Sequence, residues 1–222
     1  MLTIVFENNN FLVIDKPDGV SFHSESGPGV VVMLSDQLGI PLFSVHRLDK
    51  ITSGLLLLAK SSEVAKTFAD MFASHQIAKY YIAISTRMPK KKQGRVKGDM
   101  TLSRRGSYKL LSSFDNPAIT QFISTSIRPH ERLFLVKPHT GKTHQIRVAL
   151  KSLGSPIAGD ERYAQADEAR KEERGYLHAY ALRFFYNDEE FSFIHPPRSG
   201  ERFMSEECKT QLEQWCEPWK AF

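Results

Sequence analysis

The sequence predicts an α+β fold with a mixed, mostly antiparallel central sheet and flanking helices. Three observations carry this expectation. Strand-like runs recur along the chain, only three stretches repeat apolar residues at helical spacing, and the two patterns lack the regular β-α-β alternation of a doubly wound parallel sheet.

Each element has a local reason. FLVIDKP (11–17) reads as a short strand stopped by Pro17, with Asp18-Gly19 as a turn. HRLDKITSGLLLLAK (46–60) holds an apolar run, Leu55 to Ala59, too short to cross a membrane and too apolar for a surface strand. Three charged residues, Arg47, Asp49 and Lys50, crowd its entrance. SSEVAKTFADMFASH (61–75) carries Val64, Phe68, Met71 and Phe72 on one helical stripe, with Ser61 or Ser62 as N-cap. KYYIAIS (79–85), AITQFISTSI (118–127) and RLFLVKP (132–138) return to strand character, the last two separated by a turn at Arg128-Pro129-His130. In HTGKTHQIRVALKSLG (139–154), Ile146, Ala149, Leu150 and Leu153 repeat at helical spacing, a threonine cap precedes them, and Gly154 suits the C′ position. GYLHAYALRFFY and FSFIHPP are closing strands. A C-terminal helical tail, residues 204–222, aligns Cys208, Leu212 and Trp215 and stops at Pro218.

A chain of 222 residues, 41% hydrophobic and 25% charged, suits a single soluble domain over 1–222 with an ample core. No apolar run approaches a membrane span, and the N-terminus lacks a basic stretch followed by a long apolar one, so no signal peptide is expected. The two cysteines, Cys208 and Cys216, have neither CxxC spacing nor neighbouring histidines, which favours a reducing, cytoplasmic setting. Charge is concentrated. Residues 87–109 hold nine Lys and Arg against Asp99 alone, a net of +8 in a chain whose total is +5. Such a segment, with Lys90, Lys91, Lys92, Arg95, Lys97, Arg104 and Arg105, is either a solvated loop or a surface for the phosphates of a nucleic acid.

Several chemistries are excluded by pattern. GKTH at 141–144 resembles the end of a phosphate-binding loop, but the required first glycine position is Val136, and Pro138 interrupts the run of N–H donors. Eight histidines are scattered without ligand spacing, and His139 and His144 do not share a helical face, so no metal site is expected. No G-x-S-x-G elbow is present. What remains is a set of polar islands at element ends: KPDGVSFH (16–23), HRLD (46–49), KYY (79–81), GKTHQIR (141–147) and LHA (177–179). Taken alone, Asp49 caps a turn, Arg147 lies on a helix surface and Tyr81 fills core. Taken together, they supply a carboxylate, guanidinium groups and aromatic rings, a set suited to work on an RNA base.

In order and separation these islands resemble the signature motifs of RluA-type pseudouridine synthases. KPDGVSFH resembles K-P-x-G-x-x-x-H, and HRLDKITSGLLLLAK resembles the catalytic H-R-L-D-x-x-T-S-G-L-L-L-x-A-K. Residues 79–83 resemble K-x-Y-x-A, which makes Tyr81 and not Tyr80 the matching tyrosine. GKTHQIRV with LGSPIAGDERY (153–163) resembles G-K-T-H-Q-I-R-V-H…G-x-P-I-x-G-D-x-x-Y, and LHAYAL resembles the closing L-H-A-x-x-L. The resemblance spans about residue 10 to about residue 200 and fits a short form without an added S4-type domain.

It implies a cofactor-free, metal-free isomerisation of uridine in structured RNA, either rRNA or tRNA. Because the RNA itself can supply the partner surface, a monomer is expected. Asp49 would be essential, as nucleophile toward the sugar or as base at the ribose 2′-position. Arg147 would pair with Asp49 and keep it ionised, and Tyr81 would stack on the target base. Leu177 would pack beneath that base, and Arg47 would enter the stack vacated by the flipped uridine. His46, Lys142, His144 and Gln145 would bind substrate. An ionised carboxylate stabilises oxocarbenium-like charge on the sugar, and the neighbours Arg47 and Lys50 suit that state. Two departures bear on specificity: Ala149 stands where the family carries histidine, and HPP arrives only at 195–197. The alternatives are a non-catalytic RNA-binding or RNA-chaperone module that keeps the fold and, more weakly, a glycosidase-like hydrolase using Asp49.

Overall fold

A computed structural model describes residues 1–22 and 29–222; His23, the end of KPDGVSFH, lies outside the described residues. In chain order the strands are β1 (Thr3–Glu7), β2 (Phe11–Lys16), β3 (Phe43–Ser44), β4 (Thr52–Ala59), β5 (Ala78–Ser85), β6 (Gln93–Gly98), β7 (Met100–Leu102), β8 (Tyr108–Leu110), β9 (Ala118–Arg128), β10 (Glu131–Pro138), β11 (Leu177–Tyr186) and β12 (Glu189–Ile194). The helices are α1 (Val30–Leu38), α2 (Ser62–Ala73), α3 (Gln145–Ser152), α4 (Ala166–Ala169) and α5 (Glu206–Gln214), with short 3-10 turns at Arg104–Gly106 and Pro218–Ala221. The architecture is α+β with mostly antiparallel pairing, as the strand and helix patterns predict. The chain forms two compact units, Met1–Ala78 with His178–His195 and Lys79–Leu177 with Pro196–Phe222. Among the described residues no helix is long and apolar enough to cross a membrane.

In the first unit the strand order is β1-β2-β4-β11, with β3 on β4 and β12 on β11. All eight residues of β4 are buried, on both faces of the strand, and that is why its sequence shows no polar alternation. Gly54 opens the apolar run at φ +101°, and a Cβ there would meet the Ala179 carbonyl oxygen at 2.4 Å. Only glycine lets β11 approach this closely. Phe68 and Met71 of α2 are buried, and the predicted cap is Ser61, whose hydroxyl accepts the Val64 N–H at 3.3 Å. Phe11 on β2 is ringed by Phe6, Phe68, Phe184, Tyr186 and Phe191 at centroid distances of 5.1–5.8 Å. Burying each such ring stabilises by about 1.5–3 kcal/mol. The late arrival of HPP has a local cause: β11 and β12 form a hairpin whose turn residues Asn187 and Asp188 have φ +50° and +61°, the signature of a tight type I′ connection.

In the second unit the order is β5-β10-β9-β6, and β7 and β8 form a separate pair. β9 alternates buried Ala118, Thr120 and Phe122 with more exposed residues, and the turn to β10 falls at the expected Pro129-His130, with His130 at φ +61°. The stripe predicted for α3 is buried, and Gly154 at φ +79° closes it through an N–H bond to the Lys151 carbonyl at 2.9 Å. The threonine cap is corrected: His144, left-handed at φ +57°, is the N-cap and makes no side-chain cap bond. The basic segment is not a loose loop, because β6, β7 and β8 run through it. In the tail, Ser205 caps α5 by accepting the Cys208 N–H, and Trp219 and Phe222 pack on Tyr80 at 6.4 and 6.1 Å.

Candidate active site

The HRLD motif lies in the loop between β3 and β4, and the first unit fixes that loop from both sides. Leu48 is 4% exposed and anchors it in the core, while Asp49 beside it is half-buried and Arg47 is exposed. Lys16 at the end of β2 is fully buried, an unusual place for an ammonium unless it is hydrogen-bonded throughout. It donates to the carbonyls of Pro17 at 2.8 Å, Thr52 at 2.7 Å and Lys50 at 3.4 Å. The Gly19 N–H adds a bond to the Lys50 carbonyl at 2.9 Å, and the Thr52 N–H closes on the Asp49 carbonyl at 3.0 Å. K-P-x-G is therefore a clamp on the residue after the aspartate. Gly19 makes the turn at φ +75° and Lys16 supplies the charge.

His46 continues the ladder of β3 with a side chain. Its Nε2 accepts the Leu57 N–H at 3.0 Å, and its ring lies 4.6 Å from Phe72. That geometry gives His46 a bracing role. A second brace links the motifs LHA and HPP. Ser53 Oγ meets His178 Nδ1 at 2.7 Å, and His178 Nε2 donates to the His195 carbonyl at 2.7 Å, which fixes the imidazole's tautomer. His195 Nε2 lies 3.0 Å from the Asp15 carboxylate, close enough for an ion pair but without hydrogen-bond alignment.

In the second unit Lys142, His144, Gln145 and Arg147 are brought together at the start of α3. Arg147 is 5% exposed and bound through two nitrogens to Asp160, from Nε at 2.7 Å and from Nη2 at 2.8 Å. Its guanidinium lies 5.0 Å from the centroid of Tyr163, a cation–π contact. The Tyr163 hydroxyl accepts the Tyr108 N–H at 2.8 Å and meets His144 Nδ1 at 2.9 Å; burial pushes its pKa up. Gln145 spends its amide inside the protein. Its oxygen accepts from Thr140 and Lys142, and its nitrogen donates to the Ile119 carbonyl and Thr120, so it staples the GKTH loop to β9. Lys142 Nζ donates to Asn116 Oδ1 at 2.7 Å.

On β5 the strand's alternation separates the two tyrosines. Tyr80 packs toward the tail and Lys137, and Tyr81, 9% exposed, takes the opposite face. Leu177 is 3% exposed at the start of β11. Lys79 lies against the GKTH loop, its Nζ 4.0 Å from where a Gly141 Cβ would stand, and burial pulls its pKa down. Lys90, Lys91, Lys92, Arg95, Lys97, Arg104 and Arg105 are all exposed. Four residues were given no role from sequence: Lys16, Lys79, Asp160 and Tyr163. All four fall inside the motif strings, but motif membership does not say which residue clamps which.

Residues 10–152 match the family described as RNA pseudouridylate synthase. The chain belongs to that family. It is an RNA pseudouridine synthase, an isomerase. It is 46% identical over 202 residues to a Haemophilus influenzae protein described as an uncharacterized RNA pseudouridine synthase, covering 90% of this chain and 89% of that one. It is 31% identical to the tRNA pseudouridine synthase C of the same organism, with 88% of each chain covered. Against the ribosomal large subunit pseudouridine synthase C of Rickettsia bellii it is 34% identical over 79% of this chain and spans 61% of that protein. The solved structure of human RNA pseudouridylate synthase domain containing 1 shares the fold, with a TM-score of 0.77 at 22% identity over 96% of this chain and 95% of that one. The family match contains Asp49, Tyr81, Lys142, His144, Gln145 and Arg147; Leu177 lies beyond it.

Proposed function

We propose that this pseudouridine synthase acts on a uridine in structured rRNA or tRNA and that Asp49 carries the chemistry. The supporting observation is the fixed loop: a carboxylate in a segment clamped by a buried lysine and a buried leucine is held without reorganisation for a developing positive charge. The N1–C1′ bond breaks, the uracil turns over and C5 bonds to C1′. The hydrogen leaves C5 and N1 gains a proton, so the product is an isomer of the substrate. Arg147, oriented by Asp160, supplies the counter-charge. Tyr81 stacks on the flipped base, Leu177 packs beneath it and Arg47 enters the stack it leaves. Residues 1–222 work as one catalytic domain, an assignment supported by a family match that runs through residues of both compact units. The protein acts as a monomer in the cytoplasm, and the basic segment meets the RNA backbone.

The test is release of tritium from RNA labelled at uridine C5, using bulk tRNA and rRNA. Wild-type protein releases label and Asp49→Asn does not. Release by the variant at the wild-type rate would remove Asp49 from the mechanism.

A further inference from the structure

We propose that Phe114 is a base-stacking residue for the RNA substrate, presenting its ring to an unpaired nucleotide from a rigid ledge, residues 112–116, between β8 and β9. The inference rests on the synthase reading and extends it to the shape of RNA recognised. Phe114 is 58% exposed, whereas phenylalanine is ordinarily buried. Lys97 of β6 lies 5.3 Å from its centroid, so one side of the aromatic surface meets a cation.

The ledge is built, not loose. Asp99, the one carboxylate among residues 87–109, accepts the Asp115 N–H at 3.0 Å and the Asn116 N–H at 2.9 Å. Its own backbone N–H donates to the Ser113 carbonyl at 2.9 Å, and its carbonyl accepts the Leu111 N–H at 2.7 Å. A Cβ at Gly98 would stand 2.3 Å from the carbonyl oxygen of Leu111, the residue that leads into the ledge, so only glycine lets β6 and this approach meet so closely. The ledge is also tied to the GKTH loop, because Asn116 Oδ1 accepts from Lys142. A pre-ordered ring costs little entropy when a base lands on it. Charge selects the occupant: the ledge adjoins a segment of net +8, which suits a polyanion that also carries flat apolar faces. Stacking needs a base splayed from its helix, so the RNA feature recognised is a loop or bulge and not continuous duplex.

The experiment compares full-length wild type, Phe114→Ala and Phe114→Trp. Anisotropy of a short fluorescein-labelled single-stranded RNA and of the same sequence as duplex reads affinity and its salt slope. Tritium release from bulk RNA reads kcat and KM. Phe114→Ala is expected to weaken single-strand binding about tenfold or more and raise KM, with kcat, duplex binding and salt slope unchanged. Phe114→Trp retains affinity, and single-stranded RNA quenches its added emission. Unchanged single-strand affinity in Phe114→Ala, or equal weakening of single strand and duplex, would overturn the proposal. So would a Phe114→Trp emission that responds to a protein partner but not to RNA. If wild type releases no tritium while Phe114-dependent single-strand binding holds, the synthase reading fails and the stacking role stands.

Discussion

Replacing Lys16 by methionine tests the clamp on the Asp49 loop directly. Methionine keeps the apolar stem of the side chain as far as Cε and removes the Nζ donor with its bonds to Pro17, Lys50 and Thr52. The bonds to Pro17 at 2.8 Å and Thr52 at 2.7 Å are short and charge-assisted; the third, to Lys50 at 3.4 Å, is weak, and that carbonyl keeps the Gly19 N–H. Two carbonyls therefore lose their ammonium donor, at about 1–3 kcal/mol each, or about 2–6 kcal/mol for the pair. Domains of this kind are stable by only about 5–15 kcal/mol, so the loss is large. With a urea slope of about 3 kcal/mol/M the unfolding midpoint should fall by about 0.7–2 M. The loop also loses its fixed end next to Asp49. Tritium release, measured without denaturant where the variant is folded, should show a fall in kcat with little change in KM. A variant whose urea midpoint and kcat both match wild type would refute the clamp, and with it the idea that K-P-x-G exists to hold the aspartate loop.

Two further outcomes follow from the same structure. Asp160→Asn breaks a buried two-point ion pair with Arg147 and should cost about 3–5 kcal/mol, read by thermal unfolding, with kcat falling below wild type at temperatures where both proteins are folded. Asp99 is held below its ordinary value of 3.8, first by a Ser113 hydrogen bond and then by the Asp115 and Asn116 amides. Its folded pKa is depressed, so the order it gives the ledge is present above the ordinary value and lost as pH falls through the lowered one. Hydrogen exchange at Asp115 and Asn116 should therefore stay slow at pH 3.8 and accelerate only in stronger acid, and Asp99→Asn should abolish that dependence.

Elements whose pattern reports burial were legible in the sequence: β2, β4, β9 and β10 from their apolar runs, and α2 and α3 from their stripes. Other elements hide for physical reasons. α1 begins with three valines after Gly29, a β-branched run that local preference does not assign to a helix, and its N-terminus has no side-chain cap. β6 to β8 carry so many charges that no apolar alternation shows; pairing with β9 orders β6. The threonine cap failed because His144 adopts the left-handed conformation and takes the N-cap position itself. Asp49, Arg147 and Tyr81 were readable as motif members. Asp160 and Lys16 were not readable as their supports, because Asp160 meets Arg147 across 13 residues and Lys16 meets Thr52 across 36. His46 and Gln145 show a further role that motif membership does not announce: His46 Nε2 accepts a backbone N–H of β4, and the Gln145 amide ties its loop to β9.

β6 ends the strand order of its unit, and a terminal strand offers open backbone groups to any other chain that can pair with it. This one carries Arg95 and Lys97, both exposed, between Gly94 and Gly98. Two copies meeting edge to edge would oppose like charges across a ladder. The cations proposed to meet RNA thus also oppose pairing of this edge with the same edge of a second copy. Replacing them with neutral β-forming residues would release both restraints at once, so a loss of RNA affinity in such variants has to be separated from self-association before it is read as a lost phosphate contact.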